Sequence, residues 1–231
     1  MSLCSQIHEA LHQRIVHLLK NEAHGSAALL DIGCWDGERT SGYAKAAQCE
    51  TVAGVEVFPD QAQAARRRGI EVAELNLESD AFPWSDRRFD LVICNQVFEH
   101  LKNIFHPLDE IARLLRPGGR LVISVPNLAS FHNRVMLMLG LQPSSIRIFG
   151  PHVRGYALHE FTKFLSQGGL FKVLRIEGVG FYPFPAAFPG NHLAALWKGA
   201  CHTPIWLMER TERTDHSFSK AYDTRGEATF M

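Results

Sequence analysis

Chemistry is first legible between Leu29 and Thr40, LLDIGCWDGERT. A short apolar run ends in Asp31, and Gly33 and Gly37 follow with Trp35 between them. Glycine lets a loop adopt backbone angles closed to other residues and lets a ligand approach the main chain. Free N–H groups at the start of the helix that follows favour an anionic group. Glu56 closes the next apolar run, TVAGVEVF, where a carboxylate is placed to accept hydrogen bonds from two ribose hydroxyls. The chemistry is therefore the binding of a nucleoside-containing cofactor. A dinucleotide is disfavoured, because Trp35 stands where G-x-G-x-x-G has the glycine that lets the backbone wrap a pyrophosphate. No Tyr-x-x-x-Lys pair accompanies it, which counts against a nicotinamide-dependent oxidoreductase.

The elements that must position these residues alternate. Ile7, Leu11, Ile15, Leu18 and Leu19 have helical spacing and predict a helix over 4–22. Strands are predicted at 27–32, 51–58, 70–75, 89–95 and 120–126, with helices between them at 37–47, 59–69 and 107–115. Beyond Pro126 the pattern loosens: helices at 130–139, 159–169 and 186–199, and strands at 170–181 and 203–210. Near-continuous apolar strands separated by helices predict an α/β, doubly wound, mostly parallel seven-stranded sheet with a lid insert after strand 5. One domain is expected over 1–210, with an N-terminal helix in 1–24, a lid or substrate insert at 127–160, and a polar C-terminal tail at 211–231. That tail is aperiodic and expected to fray.

Composition narrows the partners. The 231 residues are 46% apolar, ordinary for a globular chain. Lys plus Arg and Asp plus Glu are equal at 24 each, so no general electrostatic grip on nucleic acid is expected. The run Arg66-Arg67-Arg68 closes a helix, where cations suit the dipole, and reads as a solvated helix end. The five cysteines form no CxxC pair, so neither a disulfide framework nor a zinc site is signalled. No apolar stretch reaches membrane-spanning length, and a cytoplasmic setting is the expectation.

Five segments, LLDIGCWDG, VAGVEV, FDLVICNQVFEHL, LLRPGGRLVISVPN and HVRGYALHEFTKFLSQGG, together resemble a class I S-adenosylmethionine-dependent methyltransferase of the small-molecule type. Parts are similar to the methionine-biosynthesis protein W branch, and the likeness covers about residues 25–180. It implies S-adenosylmethionine as cofactor and S-adenosylhomocysteine as product. A cofactor with an amino-acid tail in place of a pyrophosphate has less need of a glycine at position 35; Trp35 is expected beside the pocket mouth or against the first helix. By the resemblance, Asp31, Gly33, Cys34 and Gly37 form the loop around the methionyl group and ribose. Glu56 takes the ribose hydroxyls and Val57 lies beside the adenine. Asn76 stands where family members often have Asp, with Leu77 against the ring. Asn95, Gln96 and Val97 pass under the methionyl group. CNQVFE stands where enzymes that methylate exocyclic amino groups carry Asn/Asp-Pro-Pro-Tyr/Phe, so nucleic acid and glutamine are disfavoured as substrates.

Methyl transfer requires acceptor, methyl and sulfur in line with water excluded, and a hydroxyl acceptor gains from a general base. His100, just after strand 4, is the base expected, with Glu99 as a structural neighbour. His132, Arg134, His152, Arg154 and Tyr156 are expected to bind substrate from the insert, where Arg154 suits a carboxylate or phosphate. His152 and His159 flank Gly155 without helical metal-ligand spacing, and no metal is expected. The expected reaction is transfer to an oxygen, with nitrogen or carbon ranked below it, of a small or lipid-like acceptor, and a homodimer is compatible with it. The competing reading is a regulatory protein that keeps the fold and acts through a protein partner. An open acceptor cavity distinguishes the first from the second.

Overall fold

A computed structural model of the chain describes residues 2–23 and 25–222. Its strands β1 (Ala28–Ile32), β2 (Thr51–Val55), β3 (Glu71–Ala73), β4 (Phe89–Asn95), β5 (Leu115–Ser124), β6 (Phe171–Val179) and β7 (Thr203–Arg210) form one seven-stranded sheet in the order β3-β2-β1-β4-β5-β7-β6. The first five run parallel, and β7 is inserted antiparallel between β5 and β6. The helices are α1 (Leu3–Glu22), α2 (Glu38–Ala47), α3 (Pro59–Arg67), α4 (Phe105–Leu114), α5 (Phe131–Met138), α6 (Leu158–Leu165) and α7 (Asn191–Leu196). Among the described residues no helix is long and apolar enough to cross a membrane.

Each strand divides its apolar side chains between two cores, as the two-residue period requires. Leu29, Leu91, Ile93, Val122, Ile205 and Leu207 face Leu11, Ile15, Leu18 and Leu19 of α1 and Tyr43, Ala46 and Ala47 of α2. Leu30, Ile32, Val92, Cys94, Leu121, Ile123, Trp206 and Met208 face Leu108 and Ile111 of α4 and Phe161 and Leu165 of α6. The winding reverses between β1 and β4, and their carboxyl ends open the crevice that Asp31 and Asn95 flank.

Several boundaries differ from those expected, for local reasons. The second strand stops at Val55. The Val57 and Phe58 N–H groups turn back to donate to Glu56 Oε1, at 2.9 and 3.0 Å, and so leave the ladder. β5 begins early, at Leu115, which pairs with Phe89 ahead of an irregularity in the ladder. Gly119 lies in this irregularity, where a Cβ would come 2.8 Å from the Arg116 carbonyl oxygen. The helix expected over 186–199 is broken: Pro189 has no N–H to give, and regular helix is confined to Asn191–Leu196.

The insert of residues 127–160 holds α5 and a short 3-10 turn at Ser144–Ile146. Asn127 closes its base. Its amide donates to the Gly199 and Cys201 carbonyls, and its Oδ1 accepts from Ala129 N–H.

The tail expected to begin at 211 instead returns to the core. Asp109 accepts hydrogen bonds from Ser217 Oγ and from the Phe218 and Ser219 N–H groups, capping a helical stretch at 218–222. Phe218 is 2% exposed and lies beside Phe164 and Phe171. The rest of the expected tail, 223–231, falls outside the described residues. Truncating a buried aromatic side chain leaves a cavity. Phe218→Ala should therefore cost about 3 kcal/mol in chemical denaturation. A loss near zero would show that the segment adds nothing to the core.

Candidate functional site

The loop after β1 is built by backbone conformation. Gly33, Trp35 and Gly37 all have left-handed φ, at 75°, 50° and 79°. Gly33 and Cys34 N–H groups both donate to the Val55 carbonyl, and Trp35 N–H donates to Glu56 Oε2 at 2.9 Å. A Cβ at Gly33 would meet Val97 at 2.7 Å, and one at Gly37 would meet Ile70 at 2.5 Å. Trp35 reaches Phe58 edge-on at 5.8 Å and lines the crevice, so of its two expected places it takes the pocket mouth.

Asp31 lies buried at the floor and accepts from Thr40 Oγ1 at 2.5 Å. Burial pushes its pKa up to about 7, helped by the neighbouring Glu56 charge and opposed by the Thr40 bond. Asn95 Oδ1 accepts from Ser124 Oγ at 2.6 Å, and its amide reaches Tyr43 Oη at 3.4 Å. Gln96, also with left-handed φ, donates through Nε2 to Ser124 Oγ at 3.2 Å. Together these surround a cavity of about 430 Å³ whose walls include His8, Asp31, Gly33, Arg39, Tyr43 and Gln96.

A second cavity, of about 1170 Å³, adjoins the first, and His8 and Gln96 belong to the walls of both. It lies between the start of α1, the turn after β4 and the insert, with Ile7, Pro126, Met136, Ile148 and Phe149 among its apolar walls. Five histidines, His8, His100, His132, His152 and His202, line it too. Burial lowers the pKa of His8, His100, His132 and His202, the last to about 4. Glu99, on the same wall, is 1% exposed and its pKa is pushed up to about 8 by burial.

Of the loop and strand-end residues expected to hold cofactor, Asp31, Gly33, Cys34, Asn95 and Gln96 line the smaller cavity. Gly37 is behind it, between Asp36 and Glu38 of the wall. The Cys34 sulfur packs beside Ala65 and Ile70. Glu56 is buried behind the loop with three backbone N–H groups on its carboxylate, so its hydrogen bonds in this structure go to the main chain. Glu56, Val57, Asn76, Leu77 and Val97 line neither cavity. Val57 is exposed beyond Glu56, Leu77 is packed against the core, and Asn76 Oδ1 takes the Glu78 N–H.

Of the residues expected to hold substrate, His132 and His152 reach the larger cavity and the other three do not. Arg134 donates to the Ala129 and Gly199 carbonyls and lies over Trp197. Arg154 donates to the Leu101 and Lys102 carbonyls. Tyr156 donates to the Phe98 carbonyl at 3.0 Å and packs on Phe161. Each is engaged by main-chain carbonyls, so none is turned into the cavity. The arginine in the cavity wall is Arg147. Sequence reasoning missed His8, Arg39, Tyr43, Tyr182 and His202, and treated Glu99 as structural alone. His8 sits on α1 next to the apolar stripe, which was the one available signal.

The residues present suit a nucleoside cofactor with an amino-acid tail: buried acid for a cationic group, Arg39 for a carboxylate, and a cradle that a Cβ at Gly33 could not enter without displacing Val97. A methyltransferase domain model matches residues 5–174. The chain belongs to the methyltransferase domain family. Its cofactor is S-adenosylmethionine. Proteins named ubiquinone biosynthesis O-methyltransferase are similar to this methyltransferase: 29% identical over 125 residues in Xylella fastidiosa, covering 51% of this chain and 50% of the relative. The Coxiella burnetii protein is 25% identical over 183 residues, covering 76% of each, and that of Methylococcus capsulatus 27% over 199 residues, covering 78% and 81%. The chain thus spans about half the length of the first relative and about three-quarters of the others. The fold matches that of a SAM-dependent methyltransferase from Archaeoglobus fulgidus, at TM-score 0.63, 16% identity and 87% and 94% coverage. It also matches the [4+2]-cyclase SpnF, at TM-score 0.60, 20% identity and 86% and 81% coverage.

Asp31 has a clear linkage consequence. Its pKa is about 7 folded against 3.8 in the ordinary carboxyl. The stability it contributes when protonated is complete below the unfolded value and is lost as pH rises through about 7. Asp31→Asn keeps an oxygen for Thr40 and removes that loss. Its gain in unfolding free energy should be about 2 kcal/mol larger at pH 8 than at pH 5, while affinity for S-adenosylmethionine falls. An equal gain at both pH values would contradict the buried-acid assignment.

Proposed function

We propose that this methyltransferase moves a methyl group from S-adenosylmethionine to an oxygen of a small or lipid-like acceptor. The observation that carries the reading is the pair of adjoining cavities sharing His8 and Gln96. One accounts for the cofactor's amino-acid end, and the other is large and mostly apolar. An open second cavity is what a catalyst needs and what a protein acting solely through a partner does not. The relatives named for O-methylation in ubiquinone biosynthesis support oxygen as the accepting atom. Met136, Ile148 and Phe149 on the walls, with exposed Leu137, Met138 and Leu139 beside them, favour an acceptor with an apolar portion.

When bound, the cofactor supplies a methyl group on a positively charged sulfur. Asp31 and the Gly33 loop position it, and Asn95 and Gln96, held by Ser124, form the wall toward the acceptor. A hydroxyl acceptor must lose its proton as the new bond to carbon forms. His8 is better placed for this than His100, because it borders both cavities while His100 borders the larger one alone. Partial burial and the Arg39 charge keep the His8 imidazole below its usual pKa, so it is neutral and able to accept a proton at neutral pH. His132 is unsuited. Ser144 Oγ gives its hydrogen to Asn133 Oδ1, so His132 Nε2 donates to Ser144 Oγ at 2.7 Å, and its Nδ1 faces the Ser130 hydroxyl at 3.2 Å.

The test is methyl incorporation from labelled cofactor into hydroxylated aromatic compounds with and without a long apolar chain, after calorimetric titration with S-adenosylmethionine. His8→Ala should lower kcat about 100-fold or more and leave cofactor affinity within a few-fold. The parent's kcat should fall only at pH values below the ordinary histidine range, since the His8 pKa is lowered. Binding of cofactor without transfer to any hydroxyl compound would count against an oxygen acceptor, and an unchanged kcat in His8→Ala would remove His8 as the base.

A further inference from the structure

The geometry points to a divalent-cation site formed by Glu99, His100 and His152 on the wall of the larger cavity. One ligand atom from each lies within 4.8 Å of the others. The two imidazoles meet edge-on, with centroids 4.8 Å apart.

Three independent features favour a cation over a simple cluster. First, His100 Nδ1 faces the Pro151 carbonyl at 3.3 Å and His152 Nδ1 faces the Ser145 carbonyl at 2.8 Å. A carbonyl can only accept, so in both rings Nδ1 carries the hydrogen and Nε2 keeps its lone pair. A ring N–H fixed on a backbone carbonyl is how metal-binding histidines are usually oriented. Second, Glu99 is 1% exposed, and its Oε2 is buried with no hydrogen-bond partner. An orphaned buried carboxyl oxygen is costly, and an apolar residue would avoid the cost. Third, the two halves of the site are joined at this point. The Glu99 carbonyl accepts from Val153 N–H at 2.8 Å and Arg154 N–H at 3.2 Å, which brings His152 of the insert to the turn after β4.

Two imidazoles and one carboxylate suit Zn²⁺ and are also used by other first-row divalent ions. Ligand bonds of ~2.0–2.1 Å require the three groups to draw together, and His100 is exposed at the cavity. Three protein ligands leave coordination positions open toward the cavity. The chemical role rests on the proposed methyl transfer. An acceptor hydroxyl on the cation ionises more readily and gives its proton to His8. The O–CH₃ bond forms as the S–CH₃ bond breaks, and sulfur keeps that electron pair and loses its positive charge.

The test is metal binding by the chelator-stripped full-length protein, with Zn²⁺ followed by calorimetry and Co²⁺ by its visible absorption. One Zn²⁺ per chain and the intense Co²⁺ bands of a low-coordinate site are expected. Glu99→Gln, His100→Gln and His152→Gln should each weaken Zn²⁺ binding at least tenfold, while His159→Gln, on an exposed histidine, should not. Thermal melts and S-adenosylmethionine titrations run on the same samples show that each variant is folded. His100→Gln changes an exposed side chain and stays informative if a Glu99 variant fails to fold. Absence of stoichiometric Zn²⁺ binding, or equal binding by parent and His100→Gln, would overturn the site. A failed methyl-transfer reading would appear instead in the cofactor titration and the product assay, leaving the metal titration unaffected.

Discussion

Glu56 gathers the site. Its carboxylate takes N–H groups from the loop after β1 and from the turn after β2. Three such bonds to a buried charge fix two loops that no regular ladder holds. With Gly33 and Cys34 bonded to the Val55 carbonyl, the loop is pinned to β2 along its length. The left-handed angles at Gly33, Trp35 and Gly37 become affordable because these bonds determine the path. Asp31, beneath, is buried among these contacts, and its pKa is raised chiefly by that burial, with the Glu56 charge adding to it. A cationic ligand relieves that strain, which ties the cost in stability to the binding of cofactor.

The parallel half of the sheet was legible because its signals are local. Apolar runs such as Phe89–Asn95 and glycine stops such as Gly69 mark elements without reference to the rest of the chain. The smaller cavity was legible at Asp31, Gly33, Asn95 and Gln96 for the same reason, since strand ends at a reversal of winding are fixed by topology. The larger cavity was not. His8 comes from the first helix and His202 from the start of the last strand, and no spacing connects them. Arg134, Arg154 and Tyr156 misled because their residue types suit ligands equally well as main-chain carbonyls. Here carbonyls of the segments that flank the insert take them. Phe218 shows a similar limit: one aromatic residue in a polar segment has no periodicity to reveal it, and its place depends on Asp109, far off in sequence.

Histidine chemistry in the larger cavity is set by the partners of one ring nitrogen. His132 has a serine hydroxyl at each nitrogen and serves as wall. Its ring lies nearly parallel to that of His202, at 5.6 Å, and burial keeps His202 uncharged. Two adjacent imidazolium ions would repel, so neutrality of this pair is a condition of the packing. His100 and His152 are different in kind, because each spends only Nδ1 on backbone. The same residue type thus supplies a stacked apolar face on one side of the cavity and two free lone pairs on the other.

The insert is tied to the turn after β4 by main-chain and side-chain bonds. The Glu99 carbonyl and the Tyr156 hydroxyl bond to the Phe98 carbonyl hold the insert at two neighbouring points on a rigid strand end. Arg154 adds a third through the Leu101 and Lys102 carbonyls. Residues 145–153 can therefore differ in side chain while Arg154, Tyr156 and the Glu99 carbonyl keep their height above the cofactor crevice. A cavity fixed in this way can have its lining altered without disturbing the loop that binds the cofactor, because Glu56 and Asp31 share no bonded partner with the insert. The acceptor side and the cofactor side meet only where His8 and Gln96 border both. Gln96, with its left-handed backbone and its hold on Ser124, is the fixed member of that pair. His8, on a helix packed against the sheet by Ile7 and Leu11, is the member whose proton can move.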